Sequence, residues 1–471
     1  MLKFVSGSAV RNGLALATSL KPALLLLCLF AFVFAAATSA PLRAQGGDTV
    51  AGRLAMVTLA CDGHSDLATI DWLRGRAEKG HLPYYARLTT DQRSIASIFG
   101  PGPGWLGWPF FAQVEHGRLL DDRMLQSRAR LAASSAVASS AVLLGIGLLA
   151  TTSWPWAVGA AATAGLSFAG AAQLGQGLWQ QTAALPFFML AFAMAAWCSR
   201  FPRLFALALT SAAIAAWLRP PDVLLAIGIS IQALLQVQRA RIGLGSIAIS
   251  LLGVVVASVA LGSWNLWYYD QMWPSGQWAA NRLATDSVLI GNPGHFALAL
   301  LGLLASPARG IVIFAPVIPL AIGLCCTRPA PERPANVALA AALVAQLVLC
   351  SLFYKWWGGL AFGPRLLGIS TWIGIALLAR CTPTTVSKSW KRTAVVAALS
   401  QTVLIGLVGL WFYDPRKWEI PTDPDRNPQR LFDLRQSQWS TLFKPVPPMG
   451  DLIDAPGGPF YYCDPSGLRS K

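Results

Sequence analysis

"LAASSAVASSAVLLGIGLLATTSWPWAVGAAATAGLSFAGAAQLGQGLWQQTAALPFFMLAFAMAAWCS", residues 131–199, lies between Arg130 and Arg200 and contains no Asp, Glu, Lys, Arg or His. At about 20 residues per helical crossing, the run is long enough to pass through a bilayer three times. Similar uncharged runs lie between Arg241 and Asp270, Arg309 and Arg328, Arg333 and Lys355, and Arg392 and Asp414. Shorter runs, between Arg203 and Arg219, Asp222 and Arg239, and Arg365 and Arg380, can also span if the terminal Arg side chains snorkel to the interface. With Pro22 to Ala40 as the first, spans are expected near 22–40, 131–150, 155–173, 182–198, 204–218, 223–238, 243–264, 310–327, 336–353, 366–380 and 393–412. The expected fold is therefore an all-α integral membrane protein of about eleven transmembrane helices. Composition agrees: the chain is 55% hydrophobic and only 12% charged, with a mean hydropathy of +0.51, which excludes an ordinary soluble domain.

Orientation follows from the basic residues. With Lys3, Arg11 and Lys21 inside, the inner loops also receive Arg200 and Arg203, Arg239 and Arg241, Arg328 and Arg333, and Arg380, Lys388, Lys391 and Arg392. Their one acid is Glu332. This places the N-terminus in the cytoplasm and three large segments, 41–130, 265–309 and 413–471, on the opposite side of the membrane. The transmembrane domain is then 1–412 and the tail 413–471 a Pro-rich extracytoplasmic cap. The first outer segment mixes both signs of charge. Within it "SDLATIDWLRGRAE" suits an amphipathic interfacial helix, and the alternating Gly and Pro of "IFGPGPGWLGWPFF" is expected to break helix at the membrane surface.

The net charge of +16 comes largely from the inner loops and an outer cluster. No basic segment is interleaved with a nucleic-acid reading module, so nucleic acid is not an expected partner. Lys21, the apolar run after it and "AAATSAP" also fit a cleaved secretory signal. Of the eight cysteines, Cys61 and Cys463 fall on the outer side, which permits a disulfide without requiring one.

Four cations stand at the outer ends of helices: Arg219 before "PPD", Arg309 in "SPARGIVIF", and Lys355 and Arg365 around "KWWGGLAFGPR". Beside helix N-termini they form an anion site suited to a lipid phosphate; the plain alternative is a set of interfacial anchors. Trp179, Trp356 and Trp357, flanked by Gln180, Gln181 and glycines, are either belt residues or platforms for a sugar or acceptor. Asp48, Asp62, Asp66, Asp71, Asp222, Asp270 and Asp286 are the outer carboxylates near the membrane. Asp48 sits a few residues beyond the first span, where it is either a base close to a phosphate leaving group or a helix N-cap.

These blocks resemble a known family. "GDTVAGRL", "PYYARL", "FGPGPGWLGWPFF", "GLWQQTAALPF", "WLRPPD", "LLASPARGIVIFAPV", "FYKWWGGLAFGPRLL" and "RLFDLRQSQW" are similar, in order and over nearly the whole chain, to bacterial polytopic members of the C-type glycosyltransferase superfamily. The resemblance implies an inverting hexosyl- or pentosyltransferase that moves a sugar from a polyprenyl-phosphate carrier to an extracytoplasmic lipid, glycan or protein of the cell envelope. It implies Asp48 as the catalytic carboxylate, with Asp66 as second choice, and carrier-phosphate binding by Arg309, Arg365, Lys355 and Arg219. Where the family pattern has Trp-Gln-His, this chain has Trp179, Gln180 and Gln181, so a histidine's role is lost or reassigned. No cofactor is implied with certainty, and a divalent metal stays open. Two other classes fit a polytopic chain: a lipid or solute transporter, and a noncatalytic envelope-assembly protein.

Overall fold

The computed structural model describes residues 20–43, 46–89, 92–111, 119–238, 244–269, 272, 289–327, 332–382, 389–418, 424, 427–446, 461–464 and 467–470. Asp270 and Asp286 lie outside them.

In chain order the helices are α1 (Leu20–Ser39), α2 (Gly47–Asp62), α3 (Asp71–Glu78), α4 (Gly102–Phe111), α5 (Asp122–Leu149), α6 (Trp154–Leu166), α7 (Gln180–Trp197), α8 (Leu204–Leu218), α9 (Val223–Gln238) and α10 (Leu244–Tyr269). They continue as α11 (Pro293–Ala305), α12 (Ile311–Phe314), α13 (Val317–Leu324), α14 (Arg333–Leu352), α15 (Gly368–Cys381) and α16 (Ser389–Phe412). Among the described residues, five helical stretches are long and apolar enough to cross a membrane: Asp122–Leu149, Pro220–Gln238, Ile247–Tyr268, Arg333–Leu352 and Trp390–Phe412. The architecture is that of an all-α membrane protein. α10 packs on α8, and its Ile249, Leu252, Val256 and Val259 stay more than half exposed, as a lipid-facing surface requires.

Helices stand at each expected stretch, but two of them are interrupted. The stretch 310–327 is divided at Pro316, which has no N–H to continue the ladder. The stretch 155–173 stops at Ser167, whose hydroxyl bonds back to the Ala164 carbonyl. From there to Trp179 the backbone is irregular yet enclosed, and side chains satisfy it: Ser134 donates to the Gly175 carbonyl, Gln176 to those of Ala37 and Ala171, and Thr182 to those of Leu174 and Gly177. Irregular backbone inside an apolar bundle needs such partners. The arrangement delivers Trp179 and Gln180 to the N-terminus of α7.

Besides its helices, the chain forms short strands among the described residues. A hairpin pairs β1 (Ala86–Leu88) with β2 (Ile95–Ser97), and β3 (Leu119–Leu120) joins β4 (Tyr461–Asp464) and β5 (Gly467–Ser470) in an antiparallel sheet that ties the tail to the segment 41–130. The expected interfacial helix is realised as a 3₁₀ turn at Leu67–Thr69 followed by α3. The expected break in "GPGPGWLGWPFF" is instead the helix α4. Pro103 lies in its first turn, where an N–H is dispensable, while Gly104 and Gly107 lie flat against Ala55 and Met56 of α2. Small residues here serve close packing rather than a turn.

The segment expected as a second outer loop, 265–309, contains α11. Its first turn reaches Phe353 through His295, whose Nε2 lies 2.9 Å from the Phe353 carbonyl, and its Gly302 seats the ring of Trp356. α11 thus runs along the 353–359 loop.

Candidate active site

α2 begins with Gly46 as N-cap, so Asp48 lies inside the first turn rather than at the cap. Its side chain is turned to two neighbours instead. Tyr84 Oη donates to Oδ1 at 2.9 Å, and Arg365 Nη1 donates to Oδ2 at 2.6 Å. The ion pair is largely enclosed, with Arg365 14% and Asp48 17% exposed. The guanidinium carbon also lies 4.6 Å from the ring centroid of Trp179, a cation–π contact. Gly47 makes this possible, because a Cβ there would meet Tyr84 Oη at 2.5 Å. Most of Tyr84 is exposed, but its hydroxyl end faces the carboxylate. Desolvation of that end, then the Asp48 charge, raise the phenol's pKa, so it stays a protonated donor.

Around this pair is a cavity of about 190 Å³, whose lining includes Asp48, Tyr84, Gln180, Gln181, Arg219, Lys355 and Arg365. Gln180 Nε2 donates to the Phe99 carbonyl at 2.7 Å. The Gln181 amide, oriented to satisfy both of its partners, accepts from Arg219 Nη2 at 2.8 Å and Nε at 3.2 Å. Arg219 also pairs with Asp222, which is fully buried and accepts at 2.9 Å from Gln346 of α14. Gln181 thus orients a cation, Arg219, at the cavity wall.

The 353–365 loop supplies the opposite wall. Gly358, Gly359 and Gly363 have φ of 81°, 67° and 75°, the left-handed region that lets the chain fold back and bring Lys355 and Arg365 to one cavity. Arg309 is behind this loop, not in the cavity. It is 0% exposed and donates to the carbonyls of Trp357, Gly359 and Ala308, with Trp418 stacked at 5.4 Å. Trp356 wedges against Gly302 and, with Trp357, contacts neighbouring rings rather than the cavity. Trp179 supports Arg365 from beneath. Asp66 caps the Leu67–Thr69 turn, accepting from the amides of Ala68 and Ile95, away from the cavity.

Sequence reasoning brought together six residues that do converge: Asp48, Gln180, Gln181, Arg219, Lys355 and Arg365. It passed over Tyr84, although "PYYARL" was conspicuous, and Gln346, a polar residue isolated in an uncharged run. Cys61 is disulfide-bonded; the side chain of Cys463, the partner that the sequence permits without requiring it, lies outside the described residues. Among the described residues no group of three His, Cys, Asp or Glu is placed to hold a metal ion.

Beside the polar cavity runs an apolar groove of about 530 Å³ between α4, α7, α8 and α10, lined by Gly102, Trp105, Ala183, Leu218, Ala257 and Leu261 among others. The two are continuous along the chain: Leu218 of the groove precedes Arg219 of the cavity, and Ala183 follows Gln180 by about 5 Å of helix rise. Comparison with models of known families, with curated proteins and with solved structures finds no match to this chain.

Proposed function

We propose that the protein is a membrane glycosyltransferase that moves a sugar from a polyprenyl-phosphate carrier to an acceptor hydroxyl at the outer membrane face. The observation that carries the reading is the meeting of Asp48 with Arg365 in a cavity that Arg219 and Lys355 also line. A carboxylate beside clustered cations provides the two things this reaction needs: a proton acceptor and a site for an anionic leaving group. In this reading the acceptor oxygen bonds to the anomeric carbon as the carbon–oxygen bond to phosphate breaks. The electron pair leaves with the phosphate, and the acceptor proton passes to Asp48. Arg365, Lys355 and Arg219 hold the phosphate, and the adjoining groove accommodates the carrier's hydrocarbon chain, which supports a lipid-linked rather than a soluble donor. Arg309 acts as scaffold for the loop that bears Lys355 and Arg365. The orientation assigned from the basic loops, with about eleven crossings, belongs to the same proposal.

The test is Asp48→Asn, assayed as purified protein with polyprenyl-phosphate sugars. Asn preserves size but removes basicity, so turnover is expected to fall by a factor of about 100 or more while farnesyl phosphate still binds. Near-normal turnover would overturn the assignment of Asp48. A protein that binds the lipid but transfers nothing to any acceptor would favour a transporter or an assembly role.

A further inference from the structure

The pairing of Asp48 with Arg365 has two sides, because each group is claimed by a different half of the proposed reaction. Arg365 Nη1 is spent on Asp48 Oδ2, whereas Nε is enclosed and has no partner. A forked contact to phosphate takes two N–H groups on one edge of the guanidinium. With Nε enclosed, the remaining edge is Nη1 with Nη2, and Nη1 is the atom on Asp48. Nη1 carries two N–H groups, but a phosphate on that edge would draw on the same nitrogen and the same positive charge that hold Asp48, and so weaken the pair. Sharing it would also bring two anions within a few ångströms of each other.

We infer that Arg365 is a donor-sensitive latch on Asp48: it holds Oδ2 until an anionic phosphate draws the guanidinium away, and only then is that oxygen available to take a proton. The inference rests on the transferase reading above and adds an order of events, donor before acceptor. Tyr84 makes the release productive. Its bond is to the other oxygen, Oδ1, so the carboxylate keeps its position when Arg365 moves. Trp179 supplies a flat surface on which the guanidinium turns, and Lys355 in the same lining adds a second positive charge for the phosphate.

The experiment follows Asp48 itself rather than sugar transfer. Full-length protein in nanodiscs is treated with dicyclohexylcarbodiimide, and modification of Asp48 is read by peptide mass spectrometry with and without farnesyl phosphate. Binding of the lipid is measured in parallel by thermal shift. Labelling of Asp48 is expected to quicken by about tenfold when farnesyl phosphate is present, the population shift that a ligand favouring the released state brings. Arg365→Gln is expected to label fast in both conditions, and Arg365→Lys at an intermediate rate. Farnesyl phosphate that binds without quickening the labelling overturns the latch and leaves the donor assignment standing. Farnesyl phosphate that does not bind at all removes both. The comparison within the wild-type protein needs no variant to fold.

Discussion

At the scale of single residues, the site depends on how closely Tyr84 can approach Asp48. Gly47→Ala would place a methyl group 2.5 Å from Tyr84 Oη. The obstructed atom is the tip of a largely exposed side chain, so Tyr84 is expected to swing aside with little change in melting temperature. Turnover should fall by about tenfold or more, the worth of a hydrogen bond to a charged group, and Tyr84→Phe should fall to the same level. Equal turnover in wild type and both variants would show that Oδ1 needs no support. Arg365 offers the contrasting case. Replacement by Gln is expected to weaken binding of farnesyl phosphate, and replacement by Lys to recover only part of it, because a single ammonium cannot reproduce the fork; unchanged affinity in both would make Arg365 an anchor. The six converging residues were legible because each is polar at the end of an apolar run. Arg309, Trp356 and Trp357 have the same signature and point elsewhere. Which side of a loop faces a cavity is settled by contacts such as Gly302 with Trp356, which leave no mark on local sequence. The N-cap reading of Asp48 failed for a related reason: the cap falls to Gly46, and Asp48, two residues further in, is free to meet partners from distant segments.

Among elements, the 353–365 loop and the tail behave as one assembly. Trp439 Nε1 donates to the Pro307 carbonyl at 2.8 Å, and Gln438 Nε2 to that of Ala308 at 2.8 Å, while Arg309 reaches from the same turn to the carbonyls of Trp357 and Gly359. Gln438 is 0% exposed. Gln438→Ala is therefore expected to cost about 1–3 kcal/mol, the penalty for leaving buried polar groups unpaired, measured as thermal unfolding in detergent. It should also slow turnover, because the turn it braces positions Lys355 and Arg365. A variant as stable and as active as wild type would show the tail to be a passive cover. The tail was legible as a Pro-rich cap, and 3₁₀ turns are present in it at Pro415–Lys417, Pro428–Leu431, Leu434–Gln436 and Gln438–Thr441. Its strands were not, since β4 and β5 complete their sheet with β3 of the first outer segment. α4 was misread because Gly and Pro weaken helices in water, whereas here Pro103 sits in the first turn and Gly104 and Gly107 at the contact with α2; Pro109, inside the helix, has no such explanation.

For the whole molecule, the positive residues of the inner loops and the placement of the site make one linked expectation. Reporter fusions after Arg392 should read as cytoplasmic and fusions after Trp439 as extracytoplasmic. The opposite result would turn the cavity towards the cytoplasm, and with it every proposed substrate. The helical class was legible from runs such as 131–199 because lipid imposes a length and a composition on any crossing helix. The interruption at Ser167 was less so, since buried Ser134 and Thr182 from other helices make irregular backbone tolerable there; before Pro316 it is the exposed Gln401 of α16 that donates to the Val312 and Ile313 carbonyls.

Asp48 and the arginine that grips it are 317 positions apart in the chain. At ribosomal speeds of about 5–20 residues per second, roughly 15–60 s separate their synthesis. Through that interval the carboxylate exists without its partner, without the loop that forms the far wall, and without the tail that braces the loop. A nascent or truncated chain would thus have a base but no place to hold a donor. Under the proposed transferase reading, transfer would begin only once insertion is finished, and unfinished protein would consume no lipid-linked sugar.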